Sequence, residues 1–398
     1  MRGAWLTFVL AACTPAPVGL VPLEEAPRFA LVYSDYSSTS IGLYDEALAP
    51  LAADWVNSGS RVPILVTPVT ADAVLPSVSL GRLAWIDRFP ADVLTLVDPR
   101  DPATLVQLDV QGEGPATAWI ANPHDALPLP DGRLLVSRHN PDLAPGIERG
   151  NDLLAIDPVT RASERIALGC DAGRFFARPD RMTEVRPGGR RIVVVALARL
   201  DAPYEAAGQG AIATLDPTSL EVLGCHELPG ASNCQDVRAE PGTEDRVLVL
   251  CTGQPRRAEA LRREEASVLA LRVDALGGAL IEERLDARDL PLERTPAAHL
   301  IPLGAGRALV TADGRGPDPL SAGPDRLLWL DLTAGRAELL AETEPFQFGA
   351  GILDGDVALV PDGATNEILR VERTGGAILD RVAVPTPTGL PLRIVGAL

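Results

Sequence analysis

Asp125-Ala-Leu-Pro-Leu-Pro-Asp-Gly-Arg-Leu-Leu-Val136, followed by Leu153-Leu-Ala-Ile-Asp157-Pro158 and then Glu164-Arg-Ile-Ala-Leu168, reads as four short strands joined by turns. Pro130-Asp-Gly132 makes the turn between the first two, because Gly accepts the positive φ that a tight hairpin demands. The third strand stops at Asp157-Pro158, where Pro fixes φ and has no N–H for a further ladder bond. A lone four-stranded sheet has two faces and two edges to hide, so one such unit cannot stand alone.

The unit recurs. Its third strand is an apolar run ending in an acid: Gly42-Leu-Tyr-Asp45, Val93-Leu-Thr-Leu-Val-Asp98, Leu153-Leu-Ala-Ile-Asp157, Ala211-Ile-Ala-Thr-Leu-Asp216, Val268-Leu-Ala-Leu-Arg-Val-Asp274, Leu327-Leu-Trp-Leu-Asp331 and Ile368-Leu-Arg-Val-Glu372. Its second strand opens on a polar residue, usually Arg: Arg28-Phe-Ala-Leu-Val, Arg82-Leu-Ala-Trp-Ile, Arg133-Leu-Leu-Val, Arg191-Ile-Val-Val-Val, Arg246-Val-Leu-Val-Leu, Arg307-Ala-Leu-Val and Asp356-Val-Ala-Leu-Val. Seven ordered pairs predict an all-β, seven-bladed β-propeller of four-stranded antiparallel blades, whose faces are buried by radial stacking. Residues 28–60 supply only strands two to four of a blade, and 390–398 supply an orphan first strand. Pairing the N- and C-terminal strands closes the ring. The Asp-Gly-Arg, Leu-Leu-Val and Ile-Asp-Pro pattern resembles the YVTN-type propeller repeats of bacterial surface and periplasmic proteins, over nearly all of 28–398. That resemblance implies a fold and leaves the function open.

Composition fits this reading. Gly and Pro stand at 36 each in 398 residues, which suits many short strands and turns. The formal net charge of −18 argues against nucleic acid as a partner, since a phosphate backbone needs a basic surface.

Met1-Arg2 followed by the apolar run from Gly3 to Ala12 reads as a short secretory signal, too short to stay in a bilayer as a spanning helix. Leu10-Ala-Ala-Cys13 resembles the bacterial lipobox, which implies lipidation of Cys13, and Thr14 then favours the outer membrane. The expected organisation is a signal over 1–12, a lipid-anchored tether over 13–27 and the propeller over 28–398. The membrane, through the lipid, is therefore an expected partner. Cys170, Cys225, Cys234 and Cys251 remain, an even number that permits disulfides in an exported protein. Cys234 and Cys251 flank the turn at 240–245 symmetrically. A cross-strand disulfide and two buried free thiols both satisfy that spacing.

Long polar loops at 137–151, 197–210, 252–266 and 312–324 fall on one face of the ring, where binding on a rigid scaffold normally resides. Asn122-Pro-His-Asp125 and Arg178-Pro-Asp-Arg181 enter inner strands of successive blades on that face, while Asp87, Arg88, Arg138, His139 and Asp313 end second strands. His124, His139, Asp125 and Asp87 could hold a metal, or the Arg residues could clamp a carboxylate or phosphate. Mutual pairing at blade junctions is the competing expectation. His299 opens the sixth inner strand, and His226 is expected to be exposed on an outer one. The acids that close the third strands are expected to bond to turn N–H groups.

No Gly-x-Ser-x-Gly, His-Glu-x-x-His, phosphate-cradling Gly-rich loop or Cys-x-x-Cys occurs, so no catalytic residue, cofactor or metal is assigned. The expectation is a non-enzymatic binding scaffold for an envelope protein or small polar ligand. A lactonase-like hydrolase using the His124, Asp125 and Arg178 region is the alternative.

Overall fold

In a computed structural model, residues 20–112, 119–256, 259–289, 295–312, 314, 323–345, 347–386 and 389–398 are described. They form seven four-stranded antiparallel sheets. The first blade contains β1 (Phe29–Ser34), β2 (Thr39–Tyr44) and β3 (Pro50–Asn57). β4 (Ala73–Val74), β5 (Leu83–Asp87), β6 (Val93–Asp98) and β7 (Asp101–Asp109) make the second. The third runs through β8 (Pro123–Pro128), β9 (Leu134–Pro141), β10 (Gly150–Ile156) and β11 (Ser163–Ile166). β12 (Pro179–Val185), β13 (Ile192–Leu197), β14 (Gln209–Leu215) and β15 (Val222–Ser232) form the fourth. The fifth is β16 (Cys234–Ala239), β17 (Arg246–Thr252), β18 (Ala266–Val273) and β19 (Ala279–Asp286). The sixth holds β20 (Pro296–Gly304), β21 (Arg307–Ala312), β22 (Asp325–Asp331) and β23 (Arg336–Thr343). β24 (Ile352–Asp354), β25 (Val357–Asp362), β26 (Glu367–Glu372) and β27 (Ile378–Ala383) complete the seventh. The last strand, β28 (Leu392–Ala397), returns to pair with β1 in the register Phe29↔Ala397 to Val32↔Ile394, so the ring closes as the sequence predicts.

Alternation along the middle strands explains why the sheets stack. On β13, Val193, Val195 and Leu197 pack toward the third blade with Leu127, Leu135 and Leu153. Ile192, Val194 and Ala196 face the other way, toward Val237, Val249 and Leu271 of the fifth. A strand covered on both faces reads as a continuous apolar run, which accounts for Arg191-Ile-Val-Val-Val. Each of the seven blade junctions holds one such cluster, and the junction that joins first and seventh blades contains Phe29, Leu31, Leu392 and Val395 with Leu359 and Ile368.

The acids that end the third strands do what their position before a turn implies. Asp157 accepts from the N–H of Val159 (2.8 Å) and Thr160 (2.9 Å), and Asp274 accepts from Leu276 (2.8 Å) and Gly278 (2.9 Å). Asp45, Asp98, Asp216 and Asp331 bond their turns likewise. Cys234 and Cys251 are cross-strand partners and are disulfide-bonded. Cys170 and Cys225 form a second disulfide, 55 residues apart in the chain, which the sequence left unpaired. Cys13 lies outside the described residues. From Leu20 onward the segment read as tether packs on the body: Leu20 is buried, the Trp55 indole donates to the Val21 carbonyl (2.9 Å), and Leu23 N–H donates to Pro99 (3.0 Å).

Truncation after Pro391 removes the innermost strand of the first blade and exposes the β1 edge and the junction with the seventh. The shortened chain is expected to lose cooperative urea unfolding and to aggregate, as read by circular dichroism and light scattering.

Candidate functional site

A cavity of about 520 Å³ opens at the channel mouth and is bordered by all seven blades. Its wall includes Arg88, Asn122, His124, His139, Asp180 and Arg181 from the residues singled out in the sequence. Sequence reasoning did not nominate Asp72, Tyr204, Gln235 or Arg393, which also line it. His299 reaches the cavity as its place at the start of a sixth-blade inner strand suggested.

The remaining candidates sit elsewhere. Asp87 is buried and accepts from Thr70 N–H (2.7 Å) and the Trp85 indole (2.9 Å). Asp125 accepts from Ser77 N–H (2.8 Å) and Met182 N–H (2.8 Å), tying the third blade to the fourth. Arg138 makes a fully buried two-pronged ion pair with Asp152, both bonds 2.7 Å, and donates to the Gln111 carbonyl (2.6 Å). Arg178 donates to the carbonyls of Leu200 (3.3 Å), Asp201 (3.0 Å) and Ala202 (3.2 Å). For these four, pairing within the protein consumes the side chain. Asp313 lies outside the described residues. His226, expected to be exposed, is half-buried with Nε2 3.2 Å from the Thr214 hydroxyl.

A bulge brings the mouth residues together. Pro123 pairs with Arg138 and Ala126 with Val136, so His124 and Asp125 stand opposite Ser137 alone. Pro179 pairs with Leu197 and Met182 with Val195, so Asp180 and Arg181 stand opposite Ala196 alone. In both cases the residue before Pro has positive φ, 50° at Asn122 and 48° at Arg178. Such a bulge re-aims side chains that regular alternation would send into a blade junction. Here it turns His124 and Asp180 toward each other: Nδ1 of His124 lies 2.8 Å from Asp180 Oδ1.

His139, at the end of β9, stacks on His124 with ring centroids 4.2 Å apart and planes 5° from parallel. Tyr204 follows at 6.1 Å from His139, and the Arg178 guanidinium lies 3.8 Å from the Tyr204 ring centre. Burial holds both imidazoles well below the usual histidine range; Arg88, Arg181 and Arg178 add to this for His124, and its neighbour His124 does for His139. Both rings are therefore neutral at pH 7. With Nδ1–H of His124 directed at Asp180, its Nε2 carries a lone pair. The Pro179 carbonyl and the Asp180 carboxylate act in the opposite sense on His139, favouring its charged form, and burial outweighs them. His124 Nε2 and His139 Nδ1 are buried and have no hydrogen-bond partner among the described residues.

Arg88 is paired with Asp72, and Arg181 donates to the Leu75 carbonyl (3.1 Å) while lying 3.6 Å from Asp125. Arg393 donates to the Ser34 carbonyl (3.0 Å). Asp325 spends its oxygens on the N–H groups of Gly314 and Gln347, each at 2.8 Å. Among the described residues the cavity thus presents three guanidinium groups, three imidazoles and one carboxylate, Asp180, with no backbone or Arg hydrogen bond.

No protein-family model and no curated protein matches the chain. Among solved structures it is similar to a putative 6-phosphogluconolactonase from Bacteroides fragilis, at 11% identity over 94% of this chain and 98% of that one, TM-score 0.56. It is also similar to the β-propeller domain of Cps50 (Swd1) from Myceliophteria thermophila, at 8% identity over 85% and 94% of the two chains, TM-score 0.52. The likeness is one of fold.

Two changes test the paired groups. Arg138→Ala leaves the buried Asp152 carboxylate with Arg165 as its remaining ion-pair partner and is expected to cost about 3 kcal/mol in urea unfolding, the low end for breaking a buried pair. Burial pushes the Asp87 carboxyl up to about 6, above its unfolded value of 3.8, despite three hydrogen bonds that favour the charged form. The folded state therefore holds this proton more tightly. Its contribution is complete below pH 3.8 and is lost as pH rises through about 6. The stability difference between wild type and Asp87→Asn should shift against wild type across that window, measured by urea unfolding at a series of pH values.

Proposed function

We propose that this chain is an exported, lipid-anchored propeller that captures a small anionic ligand at the mouth of its channel. The observation that carries this reading is the cavity itself. In a body of net charge −18, all seven blades converge on a pocket where Arg88, Arg181 and Arg393 face inward. Three acids, Asp72, Asp180 and Asp325, line the same wall, so what an anion would meet there is directed guanidinium N–H donors in a low-dielectric setting rather than an excess of positive charge. Guanidinium groups that already lean on protein acceptors still have N–H donors for a carboxylate or phosphate, since each carries five.

Export is supported by the Met1–Cys13 segment and by two disulfides, which persist in oxidising compartments. A hydrolase would use His124, held by Asp180, as general base. Its basicity weighs against that role. A base works best with a pKa near the working pH, and burial with three nearby Arg residues drives this one well down. Binding is the better use of guanidinium donors and neutral imidazoles on a rigid ring.

Calorimetric titration with inorganic phosphate and with succinate, in buffer containing EDTA, tests the reading. Saturable binding is expected for at least one, weakened roughly tenfold, about 1.4 kcal/mol, by Arg88→Ala or Arg393→Ala. Arg336→Ala, on an outer strand, should leave it unchanged. Absence of heat with both anions rejects the proposal, and His124-dependent turnover of a lactone would put the hydrolase in its place. Separately, Cys13→Ala in the expressing bacterium should move the protein from the membrane fraction to the soluble one, and mass spectrometry of the wild-type N-terminus should find a diacylglyceryl cysteine.

A further inference from the structure

We propose that His124, His139 and Asp180 bind one divalent transition-metal ion of the zinc class. The inference deepens the reading of the mouth cavity as a binding site and rests on it. One potential ligand atom from each of the three residues lies within 4.8 Å of the others. His139 Nδ1 and the Asp180 Oδ2 are 4.0 Å apart, and the rings of the two histidines are in face contact. Tetrahedral coordination at about 2.0–2.1 Å places ligand atoms roughly 3.3 Å from one another. Metal binding therefore requires the two stacked imidazoles, now 5° from parallel, to tilt out of face contact so that both lone pairs reach one ion, with a closing of ligand-atom distances by up to about 1.5 Å.

The chemistry of the three groups matches. Two neutral imidazoles and a carboxylate form a donor set suited to zinc, copper, nickel or cobalt and poor for calcium or magnesium, which prefer all-oxygen shells. The Pro179 carbonyl acts on the His139 ring, and Nδ1 of that ring is buried with no hydrogen-bond partner among the described residues. Histidine ligands to metals are usually oriented by a carbonyl or carboxylate behind them. Local charge also permits a cation. Asp72 neutralises Arg88 and Asp125 faces Arg181, so Asp180 is left as the anionic partner nearest the two rings. Three protein ligands leave at least one position toward the cavity, where the proposed anion would complete the shell.

Protein stripped with EDTA and then desalted is titrated with cobalt(II) followed by visible absorption, and with zinc(II) followed by calorimetry. One equivalent of each is expected to bind, with the intense, long-wavelength d–d bands of tetrahedral cobalt(II) in place of the weak absorption of the hexaaqua ion, and with a rise in Tm on adding zinc. His139→Ala and Asp180→Asn should each weaken zinc binding by at least about tenfold and remove the cobalt bands, while His226→Ala changes neither. Retained cooperative melting in EDTA shows that the variants fold; should His139→Ala fail to fold, Asp180→Asn alone decides. Lack of stoichiometric binding by wild type, or full binding by Asp180→Asn, overturns the site. The two readings separate cleanly: anion binding that persists in EDTA without any zinc uptake sinks only the metal, whereas zinc uptake with no anion binding in either state sinks the anion reading.

Discussion

Every blade depends on its neighbours to bury two apolar faces, and that mutual cover is the constraint from which the rest follows. The clusters that hold the ring together never belong to one sheet: Val193 and Val194, adjacent on one strand, serve two different junctions. Blade stability is therefore not separable, and the closing pair of β1 and β28 matters to the whole ring. With both faces of each middle strand committed to packing, polar chemistry is confined to the ends of strands and to the channel.

At the entrance the innermost strands of three successive blades use one local device. Asn122-Pro-His-Asp125, Arg178-Pro-Asp-Arg181 and Asn233-Cys-Gln-Asp236 each begin with a residue at positive φ and continue with an irregular register. Asp125 and Asp236 then accept from backbone N–H groups of the following blade, at Met182 (2.8 Å) and Leu300 (3.3 Å). The residue just before, His124 or Gln235, is turned into the mouth, as is Asp180 in the fourth blade. One position of the motif fastens blades while its neighbour faces the cavity. Local geometry is thus shared, and the identity of a single side chain sets what each blade offers.

Much of the architecture was legible because periodicity and turn chemistry are local signals. The seven polar-led runs became second strands, the seven acid-ended runs became third strands, and the Asp-x turns bonded as their residue types require. The entrance was legible only in part. Asp87 and Arg138 sit at strand ends that look equivalent to Arg88 and His139, yet side chains at successive positions point to opposite faces, so one member of each pair is buried at a junction. Asp125 was grouped with His124 for the same reason, and only the bulge separates their roles. Cys170 and Cys225 lie 55 residues apart, and no local pattern in the chain marks them as partners.

Polar groups at the mouth and at the blade junctions around it are completed to different degrees. At the neighbouring blade junctions several buried charged groups are completed from within: Asp152 meets two guanidinium groups, Arg178 spreads over three carbonyls, and Asp87 takes three donors. Leaving a buried acceptor incomplete costs about 1–3 kcal/mol, and two sit side by side where His124 stacks on His139. Their remaining bonds have to come from the cavity, which is the one direction in which the ring offers no further strand. The incomplete pair, Asp180 beside it and the arginines across the wall are the groups through which the proposed ligand would be held at the open end.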